Sequence, residues 1–174
     1  MKESFQEYKD RILSFSAGKK PLKVQASTAA NIKKLIQRVP AAKLRKRPAA
    51  DKWSITEIIS HLAETEIVVG YRMRLILSAP GTPIIGFDQD KWAEAGHYAK
   101  RDPHFQLELF RSSREGNLAL LKALQPDQWT LFGVHTERGE ESIERIVQMM
   151  AGHDLNHTSQ IEAILGSKQR GKKS

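Results

Sequence analysis

Apolar residues recur along this chain at spacings of three and four, and prolines and glycines cut the pattern into helical blocks. The first block, Glu3 to Phe15, ends at SAGKKP and reads as a helical extension packed across the main body. The second, Leu22 to Arg38, stops before Pro40, which cannot continue the backbone hydrogen-bond ladder. The third opens at KWSITEII: Ser54 is placed to cap the helix, Glu57 to reach back to Ser54, and Trp53 and Ile58 to staple the entry. Its apolar stripe is Ile55, Ile58, Leu62, Val69, Met73 and Ile76, and APG ends it. DPHFQLELF starts another helix, with Asp102 as cap and Pro103 in the first turn. QPDQWTLFGVHTERG reads as a short turn or half-helix, and the last helix is expected from Glu140 to Leu165 with Gly166 as its C-cap.

No stretch alternates as a half-buried strand would. Four long helices and one long connection, residues 79–102, predict an all-α four-helix bundle. That connection is long enough to traverse the bundle, so the helices on either side of it are expected to run parallel, in an up-down-down-up order. The expected plan is one bundle domain over residues 1–166, with 1–20 as a helical extension and 167–174 as a basic disordered tail.

Composition narrows the chemistry. With no cysteine among 174 residues, disulfides, thiolate ligands and cysteine nucleophiles are excluded, which suits a reducing cytoplasm. The N-terminal stretch lacks an apolar signal-peptide core, and no apolar run approaches the roughly 18 residues of a membrane span. The net charge of +8 raises the question of nucleic acid, but the excess sits largely in KKLIQRVPAAKLRKRPAADK and SKQRGKKS, without an aromatic-interleaved stripe or a recognition motif. Nucleic acid is therefore not the expected partner. Phosphate-loop, dinucleotide, serine-hydrolase and H-E-x-x-H motifs are all missing.

The informative stretch is MMAGHDLNHTSQIEAIL. Ile143, Ile146, Met150, His153, His157, Ile161 and Ile164 share one core-facing line of the last helix, with two histidines four residues apart in its middle. A lone histidine on an apolar face is most often a core residue with a satisfied hydrogen bond. Two in one stripe are harder to satisfy, since each ring carries polar nitrogens. His61, bordering the apolar face of the helix that starts at Ser54, supplies a third. His61, His153 and His157 are thus candidate ligands of one divalent ion. Imidazoles suit zinc, nickel, iron or copper better than magnesium or calcium, and three protein ligands leave positions open for water or substrate. Glu64, one turn after His61, is the candidate catalytic carboxylate, as a further ligand or a group orienting water, against the alternative of a solvent-facing side chain. Asp154 and Asn156 lie off the histidine line and suit support of the ligands or helix packing. His97 and His104 read as surface residues, His135 as a turn residue, and Trp92 and Tyr98 as anchors for the long connection or covers for a pocket.

DKWSITEIISHLAETE and GHDLNHTSQI, together with FDQDKWA in the connection and FGVHTERGEES before the last helix, resemble the DinB/YfiT-like superfamily of bacterial four-helix-bundle proteins. The resemblance covers about Leu22 to Leu165. It implies parallel middle helices and a metal held at the positions of His61, His153 and His157, for which the imidazole ligands put zinc, nickel or iron foremost. It also implies small-molecule substrates, a homodimer, and in some members a low-molecular-weight thiol cofactor. Thiol-dependent S-transferase-like chemistry on small electrophiles is accordingly the leading expectation. A metal-dependent hydrolase is the second, and a non-catalytic metal-stabilised stress or binding protein the third.

Overall fold

The computed structural model describes residues 3–166; the basic segment 167–174 lies outside the described residues. Helix α1, Phe5–Phe15, begins at a reciprocal capping box between Ser4 and Glu7. Helix α2 spans Pro21–Ile36 and a short α3 spans Ala41–Arg45. Helix α4, Ile55–Ser78, starts as its sequence predicts: Glu57 Oε2 accepts from the Ser54 backbone N–H at 2.8 Å, and the Glu57 N–H donates to Ser54 Oγ at 3.3 Å. The connection that follows holds a two-residue strand β1, Pro83–Ile84, a short helix α5, Gln89–Ala95, and a 3-10 turn, Tyr98–Lys100. Helix α6, Pro103–Ala123, is capped by Asp102, whose Oδ1 accepts from the Phe105 N–H at 2.8 Å. After a 3-10 turn, Pro126–Thr130, strands β2, Phe132–His135, and β3, Gly139–Ser142, lead into α7, Ile143–Leu165, closed by the left-handed Gly166.

Helix direction follows from which halves share a core. One apolar cluster joins Ile32 and Ile36 late in α2, Ile58 and Leu62 early in α4, Leu107 and Phe110 early in α6, and Ile161 late in α7. The other joins Leu22 early in α2, Met73 and Ile76 late in α4, Leu121 late in α6, and Ile146 and Val147 early in α7. Helices α4 and α6 therefore run parallel to each other, and α2 and α7 run the opposite way. This is the expected up-down-down-up bundle. Gly70 lets α4 and α6 approach closely, since a Cβ there would sit 2.5 Å from Asn117 Oδ1.

Two features depart from the expected plan. The short turn or half-helix expected after α6 is a 3-10 turn only over Pro126–Thr130. The rest of that stretch, and the start expected for the last helix at Glu140, form an antiparallel hairpin of β2 and β3. Strand β1 joins β2 in parallel, making a three-stranded sheet in an otherwise helical fold. These strands have two to four residues, too few for alternation to register in the sequence, and β2 is held largely by backbone contacts such as Val134 N–H to Thr82 O at 2.9 Å. Helix α1 lies across α7, where Gly152 is indispensable: a Cβ there would fall 2.0 Å from the Ile12 carbonyl oxygen. Among the described residues no helix is long and apolar enough to cross a membrane.

Candidate metal centre

The three histidines meet. His61 reaches inward from α4, and His153 and His157 from successive turns of α7; all three side chains are buried. Nε2 of His153 lies 3.0 Å from Nε2 of His61 and 3.1 Å from Nε2 of His157. A four-coordinate ion about 2.0–2.1 Å from each nitrogen separates the nitrogens by roughly 3.4 Å, so the observed spacing is close to what one tetrahedral ion requires.

The outer nitrogens set the tautomers. Nδ1 of His157 lies 2.8 Å from Oε1 of Gln160, one turn ahead on α7. Donating there puts the ring proton on Nδ1 and turns the Nε2 lone pair inward. Nδ1 of His61 faces the Thr65 hydroxyl at 3.5 Å, and Nδ1 of His153 is buried without a partner among the described residues. Burial favours the neutral ring in all three. It pulls His61 and His153 well below the ordinary histidine value, with the neighbouring rings adding to the effect. His157 falls to about 4, again chiefly through burial, against the opposing pull of the Gln160 hydrogen bond and the Asp154 carboxylate. A neutral ring can donate an Nε2–H across such a gap, and where the ring proton sits on Nδ1, as at His157, the Nε2 lone pair is free to bind a cation. The donor set therefore fits a divalent transition metal.

Two cavities reach this centre. One, of about 620 Å³, opens on His157 and is walled by Trp53, Ile58, Ala163 and Ile164, with Gln160 and Asp90 as polar members. The Trp53 ring also packs on His61, 5.0 Å between centroids. The second, of about 580 Å³, opens on His61 and His153 and extends past Thr65 and Val69 to Arg72 and Arg138, with Phe5 and Tyr8 of α1 on one side. Helix α1 is thus part of a cavity wall, as well as an extension packed on the bundle.

The other sequence candidates lie elsewhere. Glu64 does not join the three imidazoles: Tyr98 donates to its Oε2 at 2.6 Å and Arg101 pairs with its Oε1 at 2.6 Å, so it anchors the connection. Tyr98, only 1% exposed, is the anchor, whereas Trp92 stacks on Phe87 at 4.5 Å and stays half exposed. His97 and His104 are exposed. His135 is buried in β2, its Nδ1 accepting from the Glu137 N–H at 3.1 Å, and burial together with Arg138 and Arg72 pulls it down to about 4. Asn156 accepts from Arg11 of α1 at 3.4 Å, a packing contact.

Sequence reasoning gave Asp154 a supporting or helix-packing role, as found, but missed its partners in a polar core beside the histidines. Asp154, fully buried, takes both terminal nitrogens of Arg114 at 2.6 and 3.0 Å, and Arg114 also pairs with the buried Glu66 at 2.8 Å. Burial opposes the Arg114 charge, but Asp154 and Glu66 outweigh it and the guanidinium is held more firmly protonated than usual. Thr28 of α2 donates to Asp154 at 2.9 Å, and Asn117 donates to Glu66 at 2.8 Å. This network ties all four bundle helices together at the level of the imidazoles. Its only sequence signal was a charged residue standing next to a core histidine.

The fold and this centre define a helical bundle of the metal-site type. A model of the DinB superfamily matches residues 26–161, and the chain belongs to that family. A protein of Oceanobacillus iheyensis is 25% identical over 116 residues, 67% of each chain, and a second from that organism is 25% identical over 119 residues, 66% of each. YfiT of Bacillus subtilis is 23% identical over 160 residues, 91% of this chain and 90% of its own. All three carry names that make them candidate metal-dependent hydrolases. The solved structure of YfiT, described as a candidate metal-dependent hydrolase with an unusual four-helix bundle topology, superposes with a TM-score of 0.74 at 19% identity, covering 97% of this chain and 93% of that one.

Proposed function

We propose that this protein is a divalent-metal-dependent hydrolase of small molecules, with His61, His153 and His157 as the metal ligands. The observation that carries the proposal is the convergence of three buried imidazoles through their Nε2 atoms. The names of the relatives favour hydrolysis over the S-transferase chemistry expected from the resemblance, and nothing in the comparisons supports a thiol cofactor. When bound, the ion supplies Lewis acidity to polarise a substrate oxygen and to acidify water.

The chain's own residues do the rest. Gln160 orients His157, and Trp53 packs on His61 and screens that side of the centre from solvent. The two cavities offer unlike surroundings on either side of the imidazoles. An apolar substrate arm fits beside Trp53, Ile58 and Ile164, and a polar arm fits toward Arg72 and Arg138.

The test is metal content by mass spectrometry on untagged protein, wild type beside His157→Ala. Close to one equivalent of zinc, nickel or iron in the wild type, lost in the variant, is expected. Wild-type protein that stays metal-free after reconstitution would sink the proposal and leave the three histidines as a polar core cluster.

A further inference from the structure

A hydrolase needs a group to take the proton of the attacking water, and four carboxylates close to the histidines in sequence are engaged. Glu57 is held by Ser54 and Arg47, Glu64 by Tyr98 and Arg101, and Glu66 and Asp154 share Arg114. A carboxylate already bound by an arginine is a poor proton acceptor, because protonation would break that pair.

The connection between α4 and α6 supplies another. Asp90, in the first turn of α5, borders the cavity that opens on His157 and also the one that opens on His61 and His153. Among the described residues it is the one carboxylate common to both cavities; Asp51, the other acid of the first, pairs with Lys52 at 3.2 Å. Asp90 uses its backbone N–H to bond Asp88 Oδ1 at 3.0 Å, while its own carboxylate makes no hydrogen bond or ion pair among the described residues. Its helix is held on both sides, by the stacking of Phe87 on Trp92 and by Tyr98 and Arg101 gripping Glu64. The position is thus fixed while the functional group is left available.

We propose that Asp90 is the general base of the hydrolysis, an inference that rests on the hydrolase reading. Water attacks the electrophilic carbon of the substrate and forms the new C–O bond while its proton passes to the Asp90 carboxylate. The bond to the leaving group then breaks, and the leaving group takes that proton from Asp90. The net change is addition of one water across the cleaved bond, with no oxidant or reductant.

The test uses full-length protein reconstituted with cobalt(II), whose visible spectrum reports ionisation of solvent at the centre without any substrate. Wild type, Asp90→Asn and Glu64→Gln are titrated between about pH 5 and 9, and cobalt affinity is measured for each. Removing a negative charge from the wall shared by both cavities lowers the spectral midpoint by roughly 1 pH unit in Asp90→Asn. Glu64→Gln, which removes a charge already paired with Arg101, leaves the midpoint in place, and cobalt affinity is unchanged in both. An Asp90→Asn curve that overlays wild type, or an equal shift in Glu64→Gln, overturns the assignment. A large loss of cobalt affinity in Asp90→Asn also overturns it, since it makes Asp90 a ligand. A wild-type protein that takes up no cobalt, or shows no ionisation, defeats the hydrolase reading itself.

Discussion

At the scale of single residues, the second nitrogen of each imidazole matters as much as the first. Gln160 fixes the His157 tautomer from outside the trio. Gln160→Ala is therefore expected to weaken metal binding about 10- to 100-fold without unfolding the protein, as competition with a chromophoric chelator would report. An unchanged affinity would mean that packing alone orients the ring. The histidines themselves were legible because a helix repeats every 3.6 residues: positions 153 and 157 must share a face, and the isoleucines around them show that it is the buried one. Glu64 was misleading for the same reason. Helical spacing places it one turn from His61 but says nothing of Arg101 and Tyr98, which arrive from a connection with no periodicity. Asp90 was marked only as part of FDQDKWA, a stretch without helical periodicity, and its place on the wall of both cavities comes from tertiary structure.

Between elements, the strongest joints are the buried charges and the two glycines. Arg114→Met leaves Glu66 and Asp154 buried without their cation and should cost about 3–5 kcal/mol, read from denaturant midpoints. If its midpoint matches wild type, the network is not holding the helices together. Gly152→Ala forces a methyl group into the Ile12 carbonyl, so α1 must lift from α7. The expected result is a loss of about 1–3 kcal/mol and faster proteolytic cleavage near residues 16–20, with the remainder of the bundle intact. The helices were readable because caps, stripes and stops agree at Ser54, Asp102 and Gly166. The sheet was not, because in FGVH the buried positions are Gly133 and His135 while Val134 is exposed, so no apolar alternation appears, and β1 has only Pro83 and Ile84.

For the molecule as a whole, the buried histidines couple stability to pH. Their folded-state values lie below the unfolded value near 6.5, so the unfolded chain binds more protons over that window. Stability of metal-free protein is fully present above about pH 6.5 and falls as the pH drops toward 4, by an amount on the order of 3 kcal/mol from His157 alone. Melting curves across that range test this, and a flat profile would contradict the burial of neutral rings. Saturating zinc or nickel at neutral pH should raise the melting temperature, by mass action on the folded state.

The parallel arrangement of α4 and α6 has a consequence for how such a scaffold diversifies. Two neighbouring helices that point the same way oblige the chain between them to travel back along the molecule, and here that return passes over the mouth of the centre. The ligands belong to the rigid helices, while part of each cavity wall belongs to a strap the topology cannot omit but can readily re-letter. Exchanging residues 85–97 between relatives, with the flanking helices untouched, should alter substrate preference while the grip on the ion is inherited unchanged.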